Sequence, residues 1–467
     1  MSDGVRALHL CQAAPMVASR SPELQDWLEQ AIRTHAEHLA DPANMGNANH
    51  ALHQQESLFV CGRVLKDEAL WRLAMERMGA LLRQQYDEQG MNAEGAIAYH
   101  HNNYLWWERT LRRMDVEGVP RPDGADRHLH APEAIAHATR PDGTYVTIGD
   151  TDHMTPEVLD TPVTNYVGSG GQEGAAPAET VAVYDAGYVF GRSGWGDEQR
   201  PYRDHTFYSL RFGPSRRVHG HPDGTSVTYS GDGVNWVVDP GKYDYSKSPA
   251  RMHVVSRAAH SLVSIEGKKP SKDAHVELIS RTITDRYHEY VLADPSFPRV
   301  DLRRRVVYSV RGEYLVVIDE VRASRSVQAV QRWQLGPDVT ASEDGTQVQL
   351  EAGTRREVLA FLDEPGPVET VREQEQPFDG WVATGLKSMA PATAVSVRGE
   401  GKALRFATVL ATGRGQTPRV TSVPVSADGD PSQADTLRLD VTTGSSTERI
   451  DITPTGVTFP DVPDQRA

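Results

Sequence analysis

The run Arg217-Val-His-Gly-His-Pro-Asp223 sets two imidazoles, His219 and His221, either side of one glycine. Trp236-Val-Val-Asp-Pro-Gly241 adds a carboxylate at Asp239, and Ala258-Ala-His-Ser-Leu-Val263 adds a third imidazole at His260. Residues i and i+2 of a strand point to one face, so a strand here would turn His219 and His221 to the same side of a sheet, where adjacent strands could bring Asp239 and His260. Two histidines and a carboxylate form a common donor set for zinc, or for iron with open positions.

The elements that must position these groups change character near residue 175. After residue 180 the pattern is that of strands: Val181-Ala-Val-Tyr184, Tyr188-Val-Phe190, Thr206 to Phe212 and Val227-Thr-Tyr229 are separated by Gly, Asp and Pro. Arg304 to Val310 and Tyr314 to Val321 read as a hairpin, and the strand pattern runs on to Ile452. This predicts a large antiparallel β-sandwich in two layers of sheet. Before residue 175 apolar residues recur at helical spacing, as in Leu24, Trp27, Leu28 and Ile32, and again in Leu70, Leu73, Ala74, Met78, Leu81 and Leu82. Asp41-Pro42 reads as a break between helices, and Glu94 to Met114 as a further helical segment. Residues 118–178 are rich in Gly, Pro, Asp and Thr and read as connecting loops, with one helix at Pro132 to Thr139. The expected division is 1–178 helical with its linker, 179–335 β-sandwich with the metal site, and 336–467 a C-terminal β portion.

Composition narrows the class. The chain has 467 residues, 38% of them hydrophobic, enough for two or three cores. No apolar run reaches the roughly 18 to 20 residues that a membrane span needs. No secretory leader is visible at Met1 to Leu10; the expectation is a cytoplasmic protein if this start is the natural one, and a secreted or periplasmic protein if it is not. Cys11 and Cys61 read as free structural thiols rather than a disulfide framework. A net charge of −15 argues against nucleic acid or an anionic membrane as partner. Around the histidines the chain is locally basic, with Arg211, Arg216, Arg217, Lys242, Arg251 and Arg257, and such a rim would suit a chain of uronates. Screening beyond about 10 Å makes this local charge weigh more than the total.

Five short blocks, Arg192-Ser-Gly-Trp195, Tyr208 to Gly213, the His-Gly-His-Pro-Asp run, Val238 to Tyr243 and Ala259 to Val263, resemble in order and spacing the C-terminal region of the heparinase II/III-like polysaccharide lyases. Ser261 stands where that family usually has Asn. The resemblance extends to the helical part, where Asn49-His50 and the Glu94 to His100 block match residues that line the cleft of an (α/α) toroid. It implies an α+β multidomain protein, a partial (α/α) toroid of helical hairpins followed by a large antiparallel β-sandwich. The toroid would be short, because the family carries further hairpins before the Asn-His block. A shortened toroid would expose apolar helix faces of the kind that mark a partner, including a second copy in a homo-oligomer.

The resemblance assigns catalysis to Asn49, His50, Tyr99, His219 and Tyr245, with Tyr243 the alternative to Tyr245. Contact with an anionic polysaccharide would fall to Arg217, Arg251, Glu94 and His100, and a structural zinc to His221, Asp239 and His260. Three protein ligands leave a fourth position for water or for Asp223. The substrate explains the residue types. A uronate's C5 proton is weakly acidic because the adjacent carboxylate is already negative, so Asn49 and His50 would hydrogen-bond that carboxylate while a base removes the proton. His219, with a reference pKa near 6.5, suits the base and Tyr99 the acid for departing O4; with both groups on one side of the sugar, Tyr99 could do both. The expected function is therefore β-elimination in a uronate-containing glycan. Two other readings are a non-catalytic carbohydrate-binding relative and a cupin-like metalloenzyme in which His219, His221, Asp239 and His260 hold a redox metal.

Overall fold

The structure is a computed structural model that describes residues 2–156, 159–362, 366–413, 415–424 and 436–462. It divides into two compact units: residues up to Glu94 with Tyr99–Ile135 and Tyr184–Ala186, and Gly95–Ala98 with Ala136–Val183 and Gly187 onward. The residues expected to link two domains are thus shared out, with those from Ala136 belonging to the second unit.

The first unit is helical, built on Ser2–Ala18, Pro22–Ala40, Ala48–Val64, Glu68–Gln85 and most of Ile97–Val116. Pro22–Ala40 starts where the Ser21 side chain accepts from the Leu24 amide, with Pro at its first position. It buries Leu28, Ile32, Ala36 and Leu39, one stripe at helical spacing. Leu24 and Trp27 are exposed instead: Trp27 lies off that stripe, and Leu24 is in the helix's first turn, ahead of the buried residues. Asp41 caps the short turn Pro42–Asn44 through the Ala43 amide and ends the helix at the expected place. Glu68–Gln85 is capped by Asp67, which accepts from the Ala69 and Leu70 amides, and it buries Ala74, Met78, Leu81 and Leu82. Gly62 lets this helix approach Ala48–Val64, since a Cβ there would lie 2.6 Å from the Trp71 amide nitrogen. Cys11 and Cys61 are buried free thiols whose sulfurs lie 3.7 Å apart.

The second unit is β. An eleven-stranded antiparallel sheet has Val300–Ser309, Tyr314–Gln334 and Ala394–Thr412 at its centre. The predicted hairpin is present, with Ser309 opposite Tyr314 and Val307 opposite Val316. Alternation along these strands feeds two cores. Val306, Leu315, Val317 and Leu410 pack with Val189, Tyr208, Leu210, Val227 and Tyr229 of a five-stranded sheet. Val307, Val316, Ile318, Val409 and Ala411 pack on the other side with Leu439, Val441, Ile450 and Ile452 of a four-stranded sheet. The unit therefore has three layers of sheet rather than two. Each fully buried Val, Leu or Ile contributes about 1.5–3 kcal/mol, and the central sheet contributes such residues to both cores. Strands on both sides of residue 335 share that sheet.

The stretch after Ala136 is anchored to this unit by Arg192. Its guanidinium donates to the His137 and Thr139 carbonyls at 2.9 and 3.1 Å and lies 3.7 Å from the Trp195 ring centre. The expected helix is there as Ala131–His137, and a second, Pro162–Gly168, has a Thr161–Thr164 capping box. Among the described residues no helix is long and apolar enough to cross a membrane.

Candidate functional site

Asp239 follows the strand Val234–Val237, and its Oδ1 accepts from the Gly241 amide at 2.9 Å. Gly241 has φ +76°, a backbone that glycine adopts without strain. His260 ends the short helical turn Arg257–Ala259, and its Nδ1 donates to the Ser256 carbonyl at 2.8 Å. A carbonyl can only accept, so Nδ1 carries the hydrogen and Nε2 the lone pair. Burial holds this ring neutral, pulling its pKa down to about 3. His221 follows the same logic with the opposite nitrogen. Its Nε2 donates to Asp150 Oδ1 at 3.2 Å, so Nδ1 carries the lone pair.

These lone pairs converge. Ligand atoms of His221, Asp239 and His260 lie within 4.8 Å of one another, all buried, and His221 Nδ1 and His260 Nε2 have no hydrogen-bond partner. His260 Nε2 stands 3.5 Å from Asp239 Oδ2, and with that carboxyl ionised two acceptors face each other. Buried acceptors with nothing to accept are costly, and a divalent cation among them would satisfy all three. Burial, with Asp223 nearby, pushes the Asp239 carboxyl well above the usual carboxylate range. Asp223 lies outside this set, its carboxylate accepting from Arg211 Nε at 3.2 Å.

His219 and His221 are not on a strand. The segment between Gly213–Pro214 and Val227–Gly231 is a loop, and His219 sits in it with φ +58°, an uncommon conformation for a non-glycine residue. What aims the two rings is Asp150. His219 Nδ1 donates to its Oδ2 at 3.2 Å, His221 Nε2 to its Oδ1 at 3.2 Å, and Arg251 Nη1 to Oδ1 at 2.7 Å. Burial would raise the Asp150 pKa, but these three donors outweigh it and hold the carboxyl well below the usual range. The loop bearing Asp150 is tied at both ends. Thr147 Oγ1 donates to the Asp239 carbonyl at 3.1 Å, and the Asp150 amide to the His219 carbonyl at 2.8 Å. Gly149 fits between them at φ +62°, where a Cβ would meet the Gly95 carbonyl at 2.2 Å.

Tyr245 is exposed, with its ring edge-on to His219 at 6.2 Å. Lys242 Nζ and Arg251 Cζ lie 5.2 and 5.4 Å from that ring's centre. The locally basic sequence does not all form a rim. Arg211 is paired with Asp223 and Arg257 with Asp294, both buried. Arg217, expected at the substrate, directs its guanidinium at the Phe212 and Pro214 carbonyls, each at 3.3 Å.

The remaining expected residues belong to the helical unit. Asn49 and His50 lie in the first turn of Ala48–Val64, half-buried and exposed respectively, and Asn47 occupies the cap position without a side-chain hydrogen bond. Tyr99 is half-buried in Ile97–Val116. Glu94 is buried, accepting from Asn103 Nδ2 at 3.1 Å. His100 is fully buried with both ring nitrogens engaged, accepting from the Asn92 amide and donating to the Ala131 carbonyl at 3.1 Å each. Its role there is to hold the helical unit together.

Residues 175–434, more than half of the chain, match the family model described as heparinase II/III-like, C-terminal. The chain therefore belongs to the heparinase II/III-like family. Its fold is that of several solved polysaccharide lyases. A heparan sulfate lyase from Pedobacter heparinus aligns at 17% identity and a TM-score of 0.75, over 96% of this chain and 74% of that one. A heparinase III aligns at 15% identity and 0.77, over 97% and 74%. A chondroitin AC lyase from Streptomyces coelicolor A3, solved with chondroitin sulphate, aligns at 11% and 0.54, over 96% and 72%. No curated protein sequence matches the chain. The sandwich with a helical unit before it is not the barrel that the cupin-like reading requires.

Proposed function

We propose that this chain is a polysaccharide lyase that cleaves a uronate-containing glycan by β-elimination. The observation that carries the reading is His219 held through Nδ1 by the ionised Asp150, beside Tyr245. With Nδ1 committed, the neutral ring has its lone pair on Nε2, as a general base requires. That nitrogen takes the C5 proton, the C5–H electron pair becomes the C4–C5 double bond, and the C4–O4 bond breaks. The departing O4 takes its proton from a tyrosine hydroxyl. The family resemblance gives that role to Tyr99, while proximity to His219 favours Tyr245. Asn49 and His50 keep, on the same resemblance, the task of stabilising charge on the uronate carboxylate, and Arg251 and Lys242, paired with Asp150 and Asp152, would meet an anionic glycan through their remaining donors.

We further infer that His221, Asp239 and His260 hold a zinc ion; two imidazole nitrogens and a carboxylate oxygen suit it, and it would supply bracing for the loop that carries His219. The deep burial of all three ligands favours a structural role.

The test is to incubate the purified chain with heparan sulfate, chondroitin sulfate and alginate and to follow the ultraviolet absorbance of the C4–C5 double bond, which hydrolysis does not create. A rise on one substrate supports the reading. Tyr99→Phe and Tyr245→Phe then identify the acid. No rise on any uronate glycan, with metal bound, would favour the non-catalytic relative.

A further inference from the structure

We propose that Asp150 is the positioning residue of this site, one carboxylate that fixes the ring tautomers of both the base His219 and the metal ligand His221. The proposal rests on the lyase reading for the role of His219 and on the metal reading for that of His221.

The geometry asks for a carboxylate specifically. Three donors converge on Asp150, His219 Nδ1 on one oxygen, and His221 Nε2 with Arg251 Nη1 on the other. Only an ionised carboxylate accepts on both oxygens; an amide has one accepting oxygen and one donating nitrogen. The side chain is buried, 4% exposed, so water cannot stand in for a lost partner. Each bond has a distinct consequence. The first sends the His219 lone pair to Nε2. The second sends the His221 lone pair to Nδ1, the atom that faces Asp239 and His260 without a hydrogen-bond partner. Arg251 fixes the handedness of the arrangement. It also donates to the Lys242 carbonyl at 2.9 Å, so it cannot swing away without leaving that acceptor unmet.

This predicts an asymmetric response to Asp150→Asn. The amide NH2 cannot face a guanidinium donor, so the amide oxygen stays on the Arg251 and His221 side and the NH2 turns to His219. His221 then keeps its tautomer, while His219 Nδ1 must become an acceptor and its hydrogen moves to Nε2. Zinc affinity stays within a few-fold of the unaltered chain, and kcat falls about 10²–10⁴-fold with little change in KM. Asp150→Ala loses both bonds, and zinc affinity falls about 10–100-fold as well.

The decisive experiment is 15N NMR of the full chain labelled at histidine, which reads each ring's tautomer without any substrate. It is paired with zinc affinity by chelator competition and with kcat and KM on whichever glycan the unaltered chain cleaves. His219 protonated at Nδ1 in the unaltered chain and at Nε2 in Asp150→Asn supports the proposal. His219 protonated at Nε2 in the unaltered chain overturns it, and this arm needs no variant to fold. Asp150→Asn with an unchanged His219 tautomer and unchanged kcat overturns it too. If no glycan is cleaved, the lyase reading fails, while tautomer and zinc affinity still decide the role of Asp150.

Discussion

His100 in the helical unit and His260 in the β unit are both fully buried, and burial lowers the pKa of each, to about 4 and about 3. They differ in what their second nitrogen meets. His100 has an amide on one side and a carbonyl on the other, a closed arrangement that joins its helix to the chain around Asn92 and Ala131. His260 has a carbonyl on one side and, on the other, a lone pair facing the acceptors of Asp239 and His221. A buried histidine is thus not in itself a sign of chemistry. A buried histidine whose fixed tautomer leaves an acceptor pointing at other acceptors is.

The largest effects should follow from the histidines assigned to the reaction and to the metal. His219→Ala should lower kcat by about 10²–10⁴-fold while metal content and melting temperature stay near those of the unaltered chain. A loss of metal in that variant would show the base and the metal set to be one structural unit. Removing the metal by chelation, or His260→Ala, should then lower Tm. A ligand present at about 1,000 times its Kd stabilises by about 4 kcal/mol, and calorimetry with and without added zinc would read that loss. An unchanged Tm after complete chelation would end the structural-metal reading. His100→Ala should do the reverse, costing about 1–3 kcal/mol through its two stranded partners with no change in metal content.

How much of this could be read from the sequence follows from the same contrast. His221, Asp239 and His260 were legible because each sits in a short block of distinctive composition between strand patterns, and the structure brings their donor atoms together. Asp150 was not. Gly149-Asp150-Thr151-Asp152 lies in a stretch whose Gly, Pro and Asp content reads as linker, and its only signal was two carboxylates beside a glycine. The strand expected at His219 failed because a loop, bent by a positive φ at that residue, aims both rings at one carboxylate. The third sheet layer went unread because uninterrupted apolar runs such as Tyr314-Leu-Val-Val-Ile318 do not say what covers their second face.

The smallest effect comes from setting Asp150 beside a second buried carboxyl of the same unit. Asp150 has three donors. Glu357, in the strand Arg355–Leu362, is fully buried and neither of its oxygens has a hydrogen-bond partner. Burial, with Asp232 adding to it, raises the Glu357 pKa well above the ordinary glutamate value. The folded chain therefore keeps this proton at pH values where the unfolded chain releases it. The stability this group contributes is fully present below the unfolded pKa, near 4.3, and is lost as pH rises towards the folded value. Glu357→Gln removes the titration and should stabilise the chain by about 1 kcal/mol or more at pH 8, with the gain shrinking to nothing near pH 4. Denaturant unfolding of both chains at the two pH values measures it. A loss of stability at pH 8 in place of the gain would mean that the group is ionised in the fold and has found a cation, as Asp150 has.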